Sequence, residues 1–210
     1  MEIAIITNGN IHNLELMKRM IQDKYIICAD GAAKYLVQSS IVPHLLVGDF
    51  DSIDSSHLLW MKDQGVNWEK FPTKKDATDT ELAVEYAIKM KPKSITIIGA
   101  LGSRQDHSIA NVMLLNKILQ HKIQGKIIDE NNEITITDSV LEVEGELGET
   151  ISIIPLSNTV KGVTLKGLEY PLVNRDIPMG STLGISNVFS SKIATIAVVE
   201  GTLMIIKSKE

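Results

Sequence analysis

Up to about residue 125 one pattern repeats along the chain: a short apolar run, a polar loop, then a segment whose apolar residues recur at helical spacing. Strands alternating with helices in this way build βαβ units, which require a mostly parallel sheet. The expected strands are Glu2 to Thr7, Tyr25 to Ala29, Leu45 to Val47, Val66 to Phe71 and Ser94 to Gly99. Helical spacing is clearest from Asp79 to Met90, with Leu82, Ala83, Tyr86, Ala87 and Met90 on one face. A second helix is expected from Asp106 to Gln120, where Ile109, Val112, Met113, Leu115, Ile118 and Leu119 imply burial on more than one side.

From about residue 126 the period changes to two. Val and Ile alternate with Thr, Glu and Lys in short runs such as Glu133 to Thr137, Thr150 to Ile154 and Ala194 to Val199, punctuated by Gly, Pro, Asn and Ser. That is the pattern of an antiparallel β-sandwich. The expectation is therefore a Rossmann-like α/β domain over residues 1–125, with helices on both faces of its sheet, followed by a sandwich over 126–210.

The chemistry gathers where the expected strands end. Asp30-Gly31 follows the second strand and Gly48-Asp49-Phe50-Asp51-Ser52 the third. Lys74-Lys75-Asp76-Ala77-Thr78-Asp79 follows the fourth, and Gly102-Ser103-Arg104-Gln105-Asp106-His107 the fifth. In open α/β sheets the crevice beyond the strands' carboxyl ends is where ligands bind. Each aspartate also has a local explanation: Asp30 holds a turn, while Asp76, Asp79 or Asp106 caps the helix it precedes. Six aspartates delivered to one sheet edge are not accounted for residue by residue.

Two carboxylates about 4 Å apart repel by roughly 1 kcal/mol in water and by about 4 kcal/mol at the effective dielectric of a protein site. Such a cluster needs cations or raised pKa values. Oxygen ligands without His or Cys point to a hard ion, Mg²⁺, whose coordination is completed by water and phosphate oxygens. Arg104 either offers a planar guanidinium to phosphate or sits in a surface salt bridge, and Lys74 and Lys75 either attract phosphate or, for at least one of them, are only solvated. His107 either orients an aspartate, donates to phosphate or is satisfied in the first helical turn. The loop Thr7-Asn8-Gly9-Asn10 brings backbone amides and little more.

Other classes recede. There is no GxxxxGK[ST], no GxGxxG after the first strand and no GxSxG. With 26 acidic and 21 basic residues, a formal charge of -5 and 4% aromatic residues, nothing suggests a nucleic-acid surface. No apolar run reaches the roughly 18 residues of a membrane span, so a cytoplasmic protein is expected. The single Cys28 lies in an apolar run with no basic neighbour, as a buried inert thiol does.

Taken in order, Asp30-Gly31-Ala32, Gly48-Asp49-Phe50-Asp51-Ser52, Asp76-Ala77-Thr78-Asp79 and Arg104-Gln105-Asp106-His107 resemble the thiamin pyrophosphokinase family. The resemblance continues through Gly167-Leu168-Glu169-Tyr170-Pro171-Leu172 and Gly184-Ile185-Ser186-Asn187 to Gly201-Thr202-Leu203, covering essentially the whole chain. It implies a homodimer that binds thiamin between subunits and transfers diphosphate from ATP to the thiamin hydroxyl, releasing AMP.

By motif, the resemblance implies a metal site of Asp49, Asp51, Asp76 and Asp79, and phosphate contacts from Asp30, Thr78, Arg104 and His107. Asp51, Asp79, Arg104 and Asp106 would carry the catalysis, with Asp79 or Asp106 taking the hydroxyl proton. Ser186 and Asn187 would contact thiamin, and Phe189 would stack on it or pack in the sandwich core. Ser103 stands where the family usually has a second Gly, which matters if that position needs positive φ. A Mg²⁺-dependent nucleotide phosphohydrolase, a sugar-nucleotide transferase and a non-catalytic nucleotide sensor are the alternatives for strand-end aspartates.

Overall fold

The computed structural model describes residues 1–72 and 76–209. Lys74 and Lys75, weighed as phosphate-attracting or merely solvated, lie outside the described residues. The chain divides into two compact units, Met1–Glu130 and Asn131–Glu210.

The first unit is built on β1 (Glu2–Ile6), β2 (Tyr25–Ala29), β3 (Leu45–Gly48), β4 (Asn67–Lys70), β5 (Ser94–Ile98) and β6 (Gln124–Ile128). All its pairings are parallel, in the order β6-β5-β1-β2-β3-β4. β1, β2, β3 and β5 are buried along almost their whole length, as strands covered on both faces must be. β6 buries only Ile127, and the edge strand β4 is exposed at every position.

Among the described residues five α-helices serve this sheet: α1 (Leu14–Ile21), α2 (Ala33–Gln38), α3 (Ser55–Asp63), α4 (Asp79–Lys89) and α5 (Gln105–Gln120). Ala4, Ile6, Cys28 and Leu46 pack in one core with Met17 and Ile21 of α1, Leu36 of α2 and Met61 of α3. Side chains alternate across a strand, so Ile3, Ile5, Ile27 and Val47 point to the opposite face. There α4 lies against β1, β2 and β3, and α5 against α4 and β6. Lys117 of α5 joins the two helices through Glu81 and Glu85, both at 2.6 Å.

One helix face differs from its sequence reading. The buried residues of α5 are Ser108, Asn111, Leu115 and Ile118, whereas Ile109 is 58% and Met113 45% exposed. Two buried positions are polar because they hold the loop at the helix start, described below.

The second unit is a sandwich of two antiparallel sheets. Its strands are β7 (Asn132–Thr137), β8 (Val140–Glu144), β9 (Thr150–Pro155), β10 (Thr159–Lys166), β11 (Leu172–Pro178), β12 (Asn187–Val188), β13 (Ile193–Ala197) and β14 (Leu203–Ser208). One sheet runs β12-β9-β14-β7 and the other β11-β10-β13-β8. Ile151, Ile153, Leu203 and Ile205 from the first meet Val160, Val163, Leu165, Ala194 and Ile196 from the second in one core.

Candidate active site

β2 ends in a 3-10 turn over Asp30–Ala32, which leaves the Asp30 side chain buried at 3% exposure. β3 ends at Gly48, and a Cβ there would come within 2.8 Å of the Asp30 Cβ. Glycine is therefore what lets these two strand ends approach. α4 starts at Asp79, capped by the Thr78 hydroxyl, which accepts from the Glu81 amide at 3.1 Å. These three strand and helix ends bring ligand atoms of Asp30, Asp49 and Asp79 within 4.8 Å of one another.

The electrostatics follow from that crowding. Neither carboxylate oxygen of Asp30 has a well-formed hydrogen bond. Burial, then the charges of Asp79, Asp49 and Asp51, push its pKa up to about 6, and the nearby Ser52 amide offsets only part of this. A buried acid so little compensated, facing two further carboxylates, suits a cation. The all-oxygen donor set fits a hard divalent ion and gives no reason to expect zinc or copper.

Beside the cluster opens a cavity of about 440 Å³, lined by Asp30, Ser52, Thr78, Asp79, Arg104 and His107 among others. Its floor is mostly backbone. Gly9 N donates to Gly99 O at 2.7 Å and Asn10 N to Leu101 O at 2.9 Å, so the loops after β1 and β5 run side by side. A Cβ on Gly9 would collide with the Gly99 and Leu101 carbonyl oxygens, and Gly99 itself sits at φ +73°. Tyr35 of α2 donates its hydroxyl to Gly9 O at 2.6 Å from the other side.

Two buried polar residues of α5 shape the remaining wall. Ser108 Oγ accepts from Gly102 N at 3.0 Å, and Asn111 Nδ2 donates to Ala100 O at 2.8 Å. Neither belongs to the apolar face expected for this helix. The available signal was polar residues three apart on an otherwise apolar helix face.

Arg104 is the residue before α5 and forms a two-pronged pair with Asp106, Nε to Oδ1 at 3.2 Å and Nη2 to Oδ2 at 2.6 Å. Hydrogen bonds from the guanidinium, and then the His107 amide, pull the Asp106 carboxyl down to about 2. His107 is exposed and lines the cavity. Ser103 has an ordinary negative φ, so a side chain there brings no backbone strain. Asp51 and Asp76 are both exposed, and Asp51 accepts from the Ser52 hydroxyl at 2.9 Å.

Phe50, between Asp49 and Asp51, is left-handed at φ +68°. A residue so placed costs on the order of 1–3 kcal/mol, which the surroundings must offset.

In the sandwich, Ser186 is exposed at φ +53° and its amide donates to Ser152 Oγ at 3.0 Å. Asn187 is only 2% exposed, and its amide is committed to backbone. Oδ1 accepts from Tyr170 N at 3.0 Å and Val188 N at 2.9 Å, while Nδ2 donates to Tyr170 O at 2.8 Å. Phe189 is likewise 2% exposed, its ring set in the core against Gly145, where a Cβ would come within 2.6 Å. Of the two readings of Phe189, core packing is the one its surroundings explain. Cys28 is fully buried, and desolvation pushes its thiol pKa far up.

The chain matches the family model "Thiamin pyrophosphokinase, catalytic domain" over residues 16–127 and "Thiamin pyrophosphokinase, vitamin B1 binding domain" over residues 130–203. The chain belongs to the thiamin pyrophosphokinase family. It is 33% identical over 186 residues to a thiamine pyrophosphokinase of Bacillus subtilis strain 168, covering 88% of this chain and 87% of that one. A crystal structure of the Bacillus subtilis thiamine pyrophosphokinase superposes with a TM-score of 0.91 at 31% identity, covering all of both chains. That of the Geobacillus thermodenitrificans thiamin pyrophosphokinase gives 0.88, also at 31% identity, over 100% of this chain and 98% of that one. The acid cluster and all the cavity residues from Asp30 onward lie within the matched catalytic domain. Ser186, Asn187 and Tyr170 lie within the matched vitamin-binding domain.

Proposed function

We propose that this chain transfers a diphosphate group from ATP to the hydroxyl of thiamin, giving thiamin diphosphate and AMP. The observation that carries the proposal is the convergence of Asp30, Asp49 and Asp79 beside the Arg104-lined cavity, in a chain whose two halves match the family's two domains.

Asp30, Asp49 and Asp79 would hold a divalent ion, Mg²⁺ being the one that suits an oxygen site facing phosphates, and Asp51 adds its charge nearby. When bound, that ion neutralises charge on the phosphate oxygens. The rest falls to the chain. Arg104 exchanges its contact with Asp106 for phosphate, bringing a positive charge to the group in transfer. Thr78 and His107 line the same cavity and orient phosphate oxygens. Asp79 or Asp106 takes the hydroxyl proton as the oxygen attacks the β-phosphorus and AMP leaves, Asp106 becoming a stronger base once Arg104 has turned to phosphate. Ser186 meets thiamin on the sandwich, and Asn187 serves it indirectly by fixing the Tyr170 backbone.

A homodimer binding thiamin between subunits is proposed with this activity. It goes with the family resemblance, and Val173, Val199 and Val140, at 78%, 77% and 64% exposed, are apolar side chains of the second unit that a partner would cover. A cytoplasmic setting goes with the reading. Among the described residues no helix is long and apolar enough to cross a membrane.

The test is direct. Incubation with ATP, Mg²⁺ and thiamin, each omitted in turn, should yield thiamin diphosphate and AMP by mass only in the complete mixture. Phosphate release from ATP without thiamin would instead indicate a phosphohydrolase, and ATP binding without turnover a sensor. Absence of thiamin diphosphate under every condition refutes the proposal.

A further inference from the structure

The edge strand β4 buries almost nothing, yet its sequence Asn67-Trp68-Glu69-Lys70 includes a tryptophan that is 47% exposed. Trp68 and Lys70 are two apart and so project to the same side of the strand. Both meet Phe50. The Trp68 and Phe50 rings lie 6.0 Å apart at 30°, and Lys70 Nζ stands 5.9 Å from the Phe50 ring centre. Parallel pairing sets this register, Leu46 opposite Trp68 and Gly48 opposite Lys70, and Phe71 N continues it to Gly48 O at 2.9 Å.

Phe50 is the left-handed residue between the two aspartates, so whatever holds its ring also holds the turn from which Asp49 projects toward Asp30 and Asp79. Asp51 N closes the same turn on Asp49 Oδ1 at 3.2 Å.

We propose that Trp68 and Lys70 are positioning residues: they clamp the Phe50 ring and so keep Asp49 in the metal-binding arrangement. The part of this that concerns metal rests on the function proposed above, while the part that concerns the turn does not. An aromatic pair at this spacing and a cation over a ring are each weak contacts, but the turn they oppose is strained by a comparable amount.

The test uses the full chain. Hydrogen exchange of the segment spanning residues 48–52 should quicken about fivefold in Trp68→Ala, the factor that corresponds to about 1 kcal/mol. Trp68→Phe should stay close to wild type, and Lys70→Met should fall between. Mg²⁺ titrated calorimetrically, without nucleotide, should show a similar rise in the half-saturating concentration for Trp68→Ala. In a Phe50→Gly background, where the residue takes the left-handed conformation without a ring, Trp68→Ala should add nothing to either readout. Unchanged exchange in Trp68→Ala, or an equal effect with and without the Phe50 ring, overturns the inference. Failure of the wild type to bind Mg²⁺ would instead count against the proposed function, and the exchange measurements would still decide the role of Trp68.

Discussion

Replacing Asp30 with Asn should make the metal-free protein more stable and less active at the same time. Asp30 is 3% exposed and its carboxyl is pushed from an ordinary 3.8 to about 6. Keeping it ionised in the folded chain at neutral pH therefore costs about 3 kcal/mol. Because its pKa is higher folded than unfolded, its proton favours folding fully below about pH 4, and that contribution is lost as pH rises through about 6. Asn removes the charge, keeps the shape and tolerates the left-handed φ of +35° found here. In EDTA at pH 8, Asp30→Asn should raise the melting temperature by about 6–12 °C for a chain of this size. At pH 4 the difference should shrink toward zero, since wild-type Asp30 is then neutral too. Added Mg²⁺ should raise the wild-type melting temperature more than the variant's, because only the wild type keeps the full set of anionic ligands. Thermal unfolding by circular dichroism across this pH range is sufficient. Equal melting at pH 8, or a gain that is the same at pH 4 and pH 8, would refute the claim that Asp30 is held as an unsatisfied charge.

Arg104→Ala should lower kcat by at least about a hundredfold, the scale of losing a preorganised charge partner. Its melting temperature should barely change, because the pair with Asp106 is largely exposed and such pairs contribute little to stability; steady-state kinetics and a melting curve check both. Asn187→Ala should destabilise the protein by about 1–3 kcal/mol through the stranded Tyr170 and Val188 backbone groups, seen as a lower denaturant midpoint, and should raise the KM for thiamin. Cys28 should resist a thiol reagent in the native protein and react at once after unfolding, which a spectrophotometric thiol assay follows.

The sheet and the positions of its ligand-bearing loops were legible because buried parallel strands are continuous apolar runs. β2 is bounded at the expected residues, and β1, β3 and β5 differ only at an end. Helices α1, α2 and α3 have no individual signature in the sequence, because at six to nine residues they are too short for a firm helical period. The expected boundary at residue 126 puts Lys126 to Ile128 with the strands of the second half. It pairs in parallel with β5, a long-range choice that local sequence does not encode. At the site, the sequence gathers six aspartates and cannot rank them. Burial and pairing do so: Asp30, Asp49 and Asp79 converge, Asp106 is held by Arg104, and Asp51 and Asp76 stay exposed. Ser108 and Asn111 remained hidden because their work is hydrogen bonding to a loop brought near only by the fold.

The backbone floor of the cavity sets where this protein can vary. At Gly9 and Gly99 any side chain meets a carbonyl oxygen, so drift at these positions is closed, while the hydrogen bonds that form the floor are the same whatever residues flank them. A pocket of this construction tolerates extensive divergence elsewhere in the sequence without changing shape. It also directs engineering: a new nucleotide preference would have to be written in the side chains that line the cavity, Asn8, Asn10, Thr80, Ser103 and His107 among them, because Gly9 and Gly99 admit none.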